Sequence, residues 1–456
     1  MSDQPVRAWR CAVCGYIHRE SEPPERCPVC GAFSEQFEPY TEQAAAAPSS
    51  ASQVGKVFVV GAGIAGVSAV ESIRSSSSST EVVLISHDPQ LPYYRLNLTR
   101  YLAGEVTEGD LPLHPAGWYE EQNVQLRRGV AVRLIAADAK TVELSDGSTE
   151  SFDKLVLTVG ADPFVPPIAG ADKQNVTTVR TLEDAQRILA LAGDGATCVC
   201  IGGGILGLET AGALTRRGAA VSLLEGDAWL MPRQLNADAG RILAHYVTDR
   251  GIKLYPRATV QQITGDRQAR GVRLADGKEL PADVVIVATG IRSNVALAKQ
   301  AGLKTNLGVV VDDHLVSSHP DILAAGDVAE HRKTVYGLWA PAQFQGNIAG
   351  TNAAGGQAEF GGIPPSNILK VLGIDLFSIG QFAPDDGADV IDQESDGKYL
   401  RFVFRDGRLI GAILLGDMSA AQPVQKAVEG ATDLSDLLAR KPSAADVASY
   451  FAENAS

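Results

Sequence analysis

Val57-Phe58-Val59-Val60-Gly61-Ala62-Gly63-Ile64-Ala65-Gly66 decides the fold. Four apolar residues in a row read as a strand buried on both faces. The glycines follow at the spacing G-x-G-x-x-G. The first permits a tight turn, the second lets a pyrophosphate approach the backbone, and the third lets strand and helix pack closely. A phosphate bound there rests on the positive end of the following helix. The motif recurs as Cys198-Val199-Cys200-Ile201 followed by Gly202-Gly203-Gly204-Ile205-Leu206-Gly207. Two strand–turn–helix units, about 140 residues apart, predict two bound dinucleotides.

Each unit should continue to a second strand. In the first it is Glu81-Val82-Val83-Leu84-Ile85, where a ribose-binding carboxylate is expected at the end and Ser86 stands instead; Asp88, the Ser86 hydroxyl and the His87 backbone are the available substitutes. In the second, Ala220-Val221-Ser222-Leu223-Leu224 ends in Glu225, with no arginine immediately after it. A carboxylate there accepts from both ribose hydroxyls of NADH and repels a 2′-phosphate, so NADH is favoured over NADPH.

The N-terminal segment carries different chemistry. Cys11-Ala-Val-Cys14-Gly15 and Cys27-Pro28-Val29-Cys30-Gly31 are two C-x-x-C-G knuckles, with 12 residues between Cys14 and Cys27. That spacing sets four thiolates around one metal, and both iron and zinc accept such a set. So short a segment has little core, and the metal would supply most of its folding energy. Residues 41–54, rich in Ala, Ser and Gln, read as a flexible linker that spans roughly 20 Å.

The chain has 456 residues, 45% hydrophobic and 21% charged, which suits a globular protein of two or three domains. A net charge of −14 argues against nucleic acid or an anionic membrane as partner. Residues 1–10 contain no apolar stretch that could act as a signal peptide, and no apolar run reaches the roughly 18 residues of a membrane span. Four of six cysteines lie in the knuckles, so a reducing, cytoplasmic setting is expected.

Several stretches carry family resemblance. Trp9, Cys11-Ala-Val-Cys14-Gly15-Tyr16-Ile17-His18 and Cys27-Pro28-Val29-Cys30-Gly31-Ala32 resemble the rubredoxin-like domain of rubrerythrins, in which the cysteines hold one redox-active iron. A structural zinc is the alternative. Leu91-Pro92-Tyr93-Tyr94-Arg95-Leu96-Asn97-Leu98-Thr99-Arg100 resembles the flavin-side segment of NADH:rubredoxin reductases and of the related ferredoxin and nitrite reductase flavoproteins. That family carries a lysine beside the flavin N5 where this chain has Arg100. The resemblance implies that Glu209 pairs with Arg100. It also implies FAD contacts at Ile64, Ala65, Arg95, Val132 and Gly160, a crossing between nucleotide domains at Gly290, and a ribityl contact at Asp327 after Gly326. Trp339 falls where the family runs its chain beneath the flavin.

The resemblance implies an α/β fold with two Rossmann-like domains, binding FAD and NAD, and a small C-terminal α+β domain, all preceded by the metal ribbon. The expected boundaries are 1–40 for the ribbon, 41–54 for the linker, 55–163 with 291–363 for FAD, 164–290 for NAD and 364–456 for the last domain. Tyr399–Arg405, the turn Asp406-Gly407 and Arg408–Leu415 predict a hairpin, followed by helices near 419–429 and 434–456. Disulfide reductases of this architecture carry a C-x-x-x-x-C pair or a C-x-x-C pair in the NAD unit; this chain has neither. Cys198 and Cys200 read as core. Nor do cysteines remain for an iron–sulfur cluster or sirohaem.

The expected reaction passes electrons from NADH through FAD to the iron. From there they reach a redox protein, either rubredoxin or a downstream oxygen- or superoxide-detoxifying protein. A homodimer is compatible with the family. Two other readings keep the same residues: a reductase of a separate carrier or of oxygen, with a zinc ribbon for docking, and a slowly turning NADH-sensing binder.

Overall fold

The computed structural model describes residues 8–11, 16–18, 20–25, 27, 34, 37–40, 54–363, 366–369, 375–384 and 387–453. The 41–53 part of the expected linker, and Cys14 and Cys30, lie outside them. The chain divides into two compact units. One comprises 1–96, 107–162 and 291–362; the other comprises 97–106, 163–290 and 363–456.

In the first unit the strand Lys56–Val60 lies at the centre of a parallel sheet. The order is 322–324, 154–157, 56–60, 81–86, 124–128. Its four apolar residues Val57, Phe58, Val59 and Val60 are all buried, as a central strand covered on both faces requires. The helix Ile64–Ser76 returns across the sheet. Helix Trp339–Ala353 packs against it, and two glycines set the close approach: a Cβ on Gly346 would lie 2.3 Å from the Ala65 carbonyl oxygen, and one on Gly350 2.2 Å from that of Ala69. A three-stranded antiparallel sheet, 132–136, 141–144 and 149–151, is inserted before the strand Lys154–Leu157. The N-terminal ribbon belongs to this unit. Its strands Ile17–His18, Ala8–Cys11 and Phe37–Tyr40 pair antiparallel in that order.

The second unit repeats the plan. Its parallel sheet runs 176–177, 284–287, 197–201, 220–224, 253–255, again with the fingerprint strand central, and a three-stranded antiparallel insertion spans 260–281. Cys198 and Cys200 are buried in that central strand, where burial pushes the Cys198 thiol up to about 12 and the Cys200 thiol higher still. They are core residues, as read. The C-terminal portion is a five-stranded antiparallel sheet covered by helices. Its hairpin forms as the turn chemistry predicts: Arg405 pairs with Arg408, and Asp406 and Gly407 take φ values of 51° and 75°. The last stretch departs from expectation. One helix over 434–456 is broken into Ser435–Leu438 and Ala444–Glu453, because Lys441 turns left-handed (φ 53°) before Pro442. Among the described residues no helix is long and apolar enough to cross a membrane.

Candidate functional site: two glycine cradles and a cysteine cluster

The two fingerprints build the same turn. Gly61 (φ 104°) and Gly202 (φ 114°) both need the left-handed conformation, and a Cβ on either would strike a carbonyl of the neighbouring crossing strand's turn, Thr158 O at 2.4 Å or Ala288 O at 2.3 Å. Gly66 and Gly207 face the carbonyls of Gly61 and Gly202, where a Cβ would stand 1.9 Å from the oxygen. Gly63 and Gly204 are different. A Cβ on either would meet no protein atom within 4 Å. They cap the helices Ile64–Ser76 and Ile205–Arg216, and neither helix has a side-chain cap or an acidic residue in its first turn. Each helix therefore presents an uncrowded, positively polarised N-terminus over open space, which fits a pyrophosphate. Ile64 opens the first of these helices, and Ala65 is buried behind it.

In the first unit the loop after strand Glu81–Ser86 is held by its own residues. The Ser86 hydroxyl donates to the Asp88 carbonyl (3.0 Å), and the Arg95 guanidinium donates to the Asp88 carboxylate (3.0 Å). Arg95, expected at the flavin, thus sits on Asp88, one of the substitutes for the missing ribose carboxylate. Val132 opens the antiparallel insertion, paired with Leu144, and Gly160 turns with φ 68° after the strand Lys154–Leu157. Gly326 (φ 81°) turns the chain after strand Ile322–Ala324, so that Asp327 lies in a single helical turn, Gly326–Val328. The Gly326 N–H donates to Gln345 Oε1 (2.8 Å), while the buried Nε2 of Gln345 has no partner. An unsatisfied buried donor beside a flavin-type motif suits a site built to receive a polar group.

In the second unit Glu225, almost wholly buried, accepts from the Gly203 N–H and the Asp227 N–H, both at 2.8 Å. The carboxylate thereby locks the turn that it would share with a ribose, and each oxygen keeps a further lone pair. Gly290 (φ 120°) follows strand Val284–Val287. Glu225→Gln is expected to leave flavin content unchanged and to raise the KM for NADH about tenfold, since an amide NH₂ confronts one of those two donors; steady-state kinetics checks it.

The expected Glu209–Arg100 pair takes another form. Glu209, on helix Ile205–Arg216, accepts from the Thr99 hydroxyl at 2.9 Å. Arg100 instead reaches Glu105 (3.3 Å), which also receives Arg216. The helix Leu98–Ala103 turns its Thr99 toward Glu209, while the guanidinium of the next residue is drawn to the acidic group beyond the helix end. Enclosure of its carboxylate, opposed by the Thr99 hydrogen bond and assisted by Glu105, pushes Glu209 up to about 7.

Of the four thiols, Cys11 and Cys27 are described; both are buried and belong to one cluster, which suits ligands to a shared metal. Phe37 and Tyr94 complete the buried part of that cluster, with Trp9, Tyr16, Leu113 and Trp339 packed against it. Sequence reading missed this aromatic group around the cysteines.

Comparison with known proteins follows the same division. Residues 55–346 match the family described as pyridine nucleotide-disulphide oxidoreductase, 365–432 the rubredoxin NAD+ reductase C-terminal domain, and 9–38 the rubredoxin-like domain of rubrerythrin. The chain is 34% identical to nitrite reductase [NAD(P)H] of Bacillus subtilis over 84% of this chain and 48% of that protein. It therefore spans about half the length of such curated relatives. It is 28% identical to NADH-rubredoxin oxidoreductase of Clostridium acetobutylicum, over 84% of this chain and 96% of that one. Among solved structures, the covalent putidaredoxin reductase–putidaredoxin complex aligns with a TM-score of 0.79 and 27% identity, covering 85% of this chain and 96% of the other.

Proposed function

The chain belongs to the pyridine nucleotide-disulphide oxidoreductase family, and from that membership we propose that it is an FAD-dependent NADH:rubredoxin oxidoreductase carrying its own rubredoxin-type iron. The observation that supports this reading best is the packing of the cysteine cluster against Tyr94, the residue before Arg95 in the flavin-side segment. FAD, when bound, accepts a hydride and releases electrons one at a time. Gly61, Gly63 and Gly66 would hold its pyrophosphate and Asp327 its ribityl chain, and Arg95 would order the loop that carries Asp88. Gly202, Gly204, Gly207 and Glu225 hold NADH. Arg100 and Glu209, expected as a catalytic pair, would be positioning residues instead, Glu209 through Thr99 and Arg100 through Glu105. Cys11, Cys14, Cys27 and Cys30 hold the iron.

The family's dithiol chemistry has no residues here, because Cys198 and Cys200 are the remaining cysteines and both lie in a sheet. An iron held by those four cysteines would relay electrons supplied by FAD to a protein acceptor, a separate rubredoxin or an oxygen- or superoxide-detoxifying protein, in a reducing, cytoplasmic setting, with the enzyme working as a homodimer. An anaerobic titration with NADH tests the reading. Flavin and ferric–thiolate bands should bleach together. Zinc in place of iron, with only the flavin bleaching, would overturn it and leave a reductase of a separate carrier.

A further inference from the structure

We propose that Tyr94 and Trp339 form a seat for the chain's own metal-binding ribbon, so that electrons reach the iron within one molecule. This rests on the function proposed above. Three rings connect the ribbon to the nucleotide domain inside one compact unit. Tyr16, two residues beyond Cys14, meets Tyr94 edge to face, with centroids 6.1 Å apart and planes at 71°. Tyr94 then stacks on Trp339 at 5.6 Å and 29°. Phe37 closes the ribbon side, edge-on to Tyr16 at 6.4 Å.

Both rings of the seat are anchored in elements that carry flavin motifs. The Tyr94 N–H donates to the Leu111 carbonyl (2.9 Å) and the Leu113 N–H to the Pro92 carbonyl (2.8 Å), which fixes the segment that runs into Arg95. Trp339 is the first residue of the helix whose Gln345 holds Gly326. The ribbon covers Tyr94 until it is 8% exposed. Without that cover, two large aromatic side chains would share one exposed patch, the kind of surface that marks an interface. Ring pairs in these geometries add only modestly to the attraction of the area they bury. That is weak between separate molecules, but a tether supplies an effective concentration of order millimolar.

Each transfer would move one electron, reduced FAD being oxidised as ferric iron becomes ferrous and the accompanying proton passing to solvent; a flavin reduced by one NADH would need two such transfers, with the protein acceptor reoxidising the single iron between them. The rings provide the path and are not themselves oxidised.

The test uses the full chain, with iron content matched by absorbance. After anaerobic mixing with NADH, bleaching of the ferric–thiolate band should be first order and independent of protein concentration. Tyr94→Ala and Tyr16→Ala, on opposite sides of the contact, should each slow it by about tenfold or more, as loss of positioning does. Tyr94→Phe keeps the stack and should stay near the wild-type rate. Flavin reduction should be unchanged in Tyr16→Ala. Small-angle scattering gives a readout independent of turnover: the radius of gyration should rise in both alanine variants as the ribbon leaves its seat. Unchanged bleaching and scattering in both alanine variants would overturn the seat while the proposed function stands. If the wild-type flavin bleaches and the iron does not, the proposed function fails, and a compact wild type that expands in the variants would still support the seat.

Discussion

Gly63→Ala should fold and lose its flavin, whereas Gly66→Ala, three residues later, should fail to assemble the domain. The difference comes from where the added methyl goes. At Gly66 it would stand 1.9 Å from the Gly61 carbonyl and 2.9 Å from the Thr158 hydroxyl, so strand, turn and helix cannot keep their places together. Separation by more than an ångström exceeds the ordinary overpacking cost of about 1–3 kcal/mol, because the obstacle is backbone. At Gly63 the methyl meets no protein atom within 4 Å, and the backbone there is extended (φ −75°, ψ −175°), which alanine adopts freely. The methyl occupies only the open space over the helix N-terminus, where the FAD pyrophosphate is proposed to lie. Gly63→Ala should therefore keep the thermal midpoint of the flavin-free protein and weaken FAD by about a hundredfold, the effect of displacing a phosphate from several charge-assisted hydrogen bonds. Thermal melts of stripped protein and flavin titration separate the two variants. The second cradle gives an internal control. Gly204→Ala should retain FAD and lose NADH affinity, because Gly204 has the same open surroundings in the other unit.

Such pairs of opposite outcomes were legible in the sequence, because spacing alone distinguishes the glycine that faces backbone from the glycine that faces ligand. The hairpin at Asp406-Gly407 was legible for the same reason: a local conformation demands particular residues. The break at Lys441-Pro442 carried an equally local signal in its proline, which outweighs the helical pattern on either side. Contacts between distant segments carry no such mark. Tyr16, Tyr94 and Trp339 have no common period, and although each lies in a stretch that carries family resemblance, nothing in the sequence joins one to another; only the fold brings them together. Gly346 and Gly350 did carry a signal, glycines four apart on one helical face, from which close approach to another helix could have been inferred.

The Thr99–Glu209 contact shows how a one-residue difference alters chemistry. Resemblance pairs the glutamate with a cation, which would keep it ionised and its pKa low. The structure pairs it with a neutral hydroxyl and gives the cation to Glu105. A carboxylate enclosed without a cation favours its protonated form, so the folded-state pKa rises to about 7 from the usual value of 4.5. The sign follows from proton binding. Between those two values the folded protein holds a proton that the unfolded chain has released, so stability falls as pH rises through that window. It is fully present below about 4.5 and lost as pH passes 7. One pKa unit is worth about 1.4 kcal/mol, so the whole window carries about 3 kcal/mol at most. Glu209→Gln retains the shape and an acceptor for Thr99 but cannot ionise. Its thermal midpoint should match that of the wild type near pH 5 and exceed it by several degrees at pH 8. Arg100→Gln should leave this difference in place, because the arginine serves Glu105. If instead the wild type and Glu209→Gln keep a constant offset from pH 5 to 8, Glu209 has a cationic partner after all, and the pairing implied by resemblance would be restored.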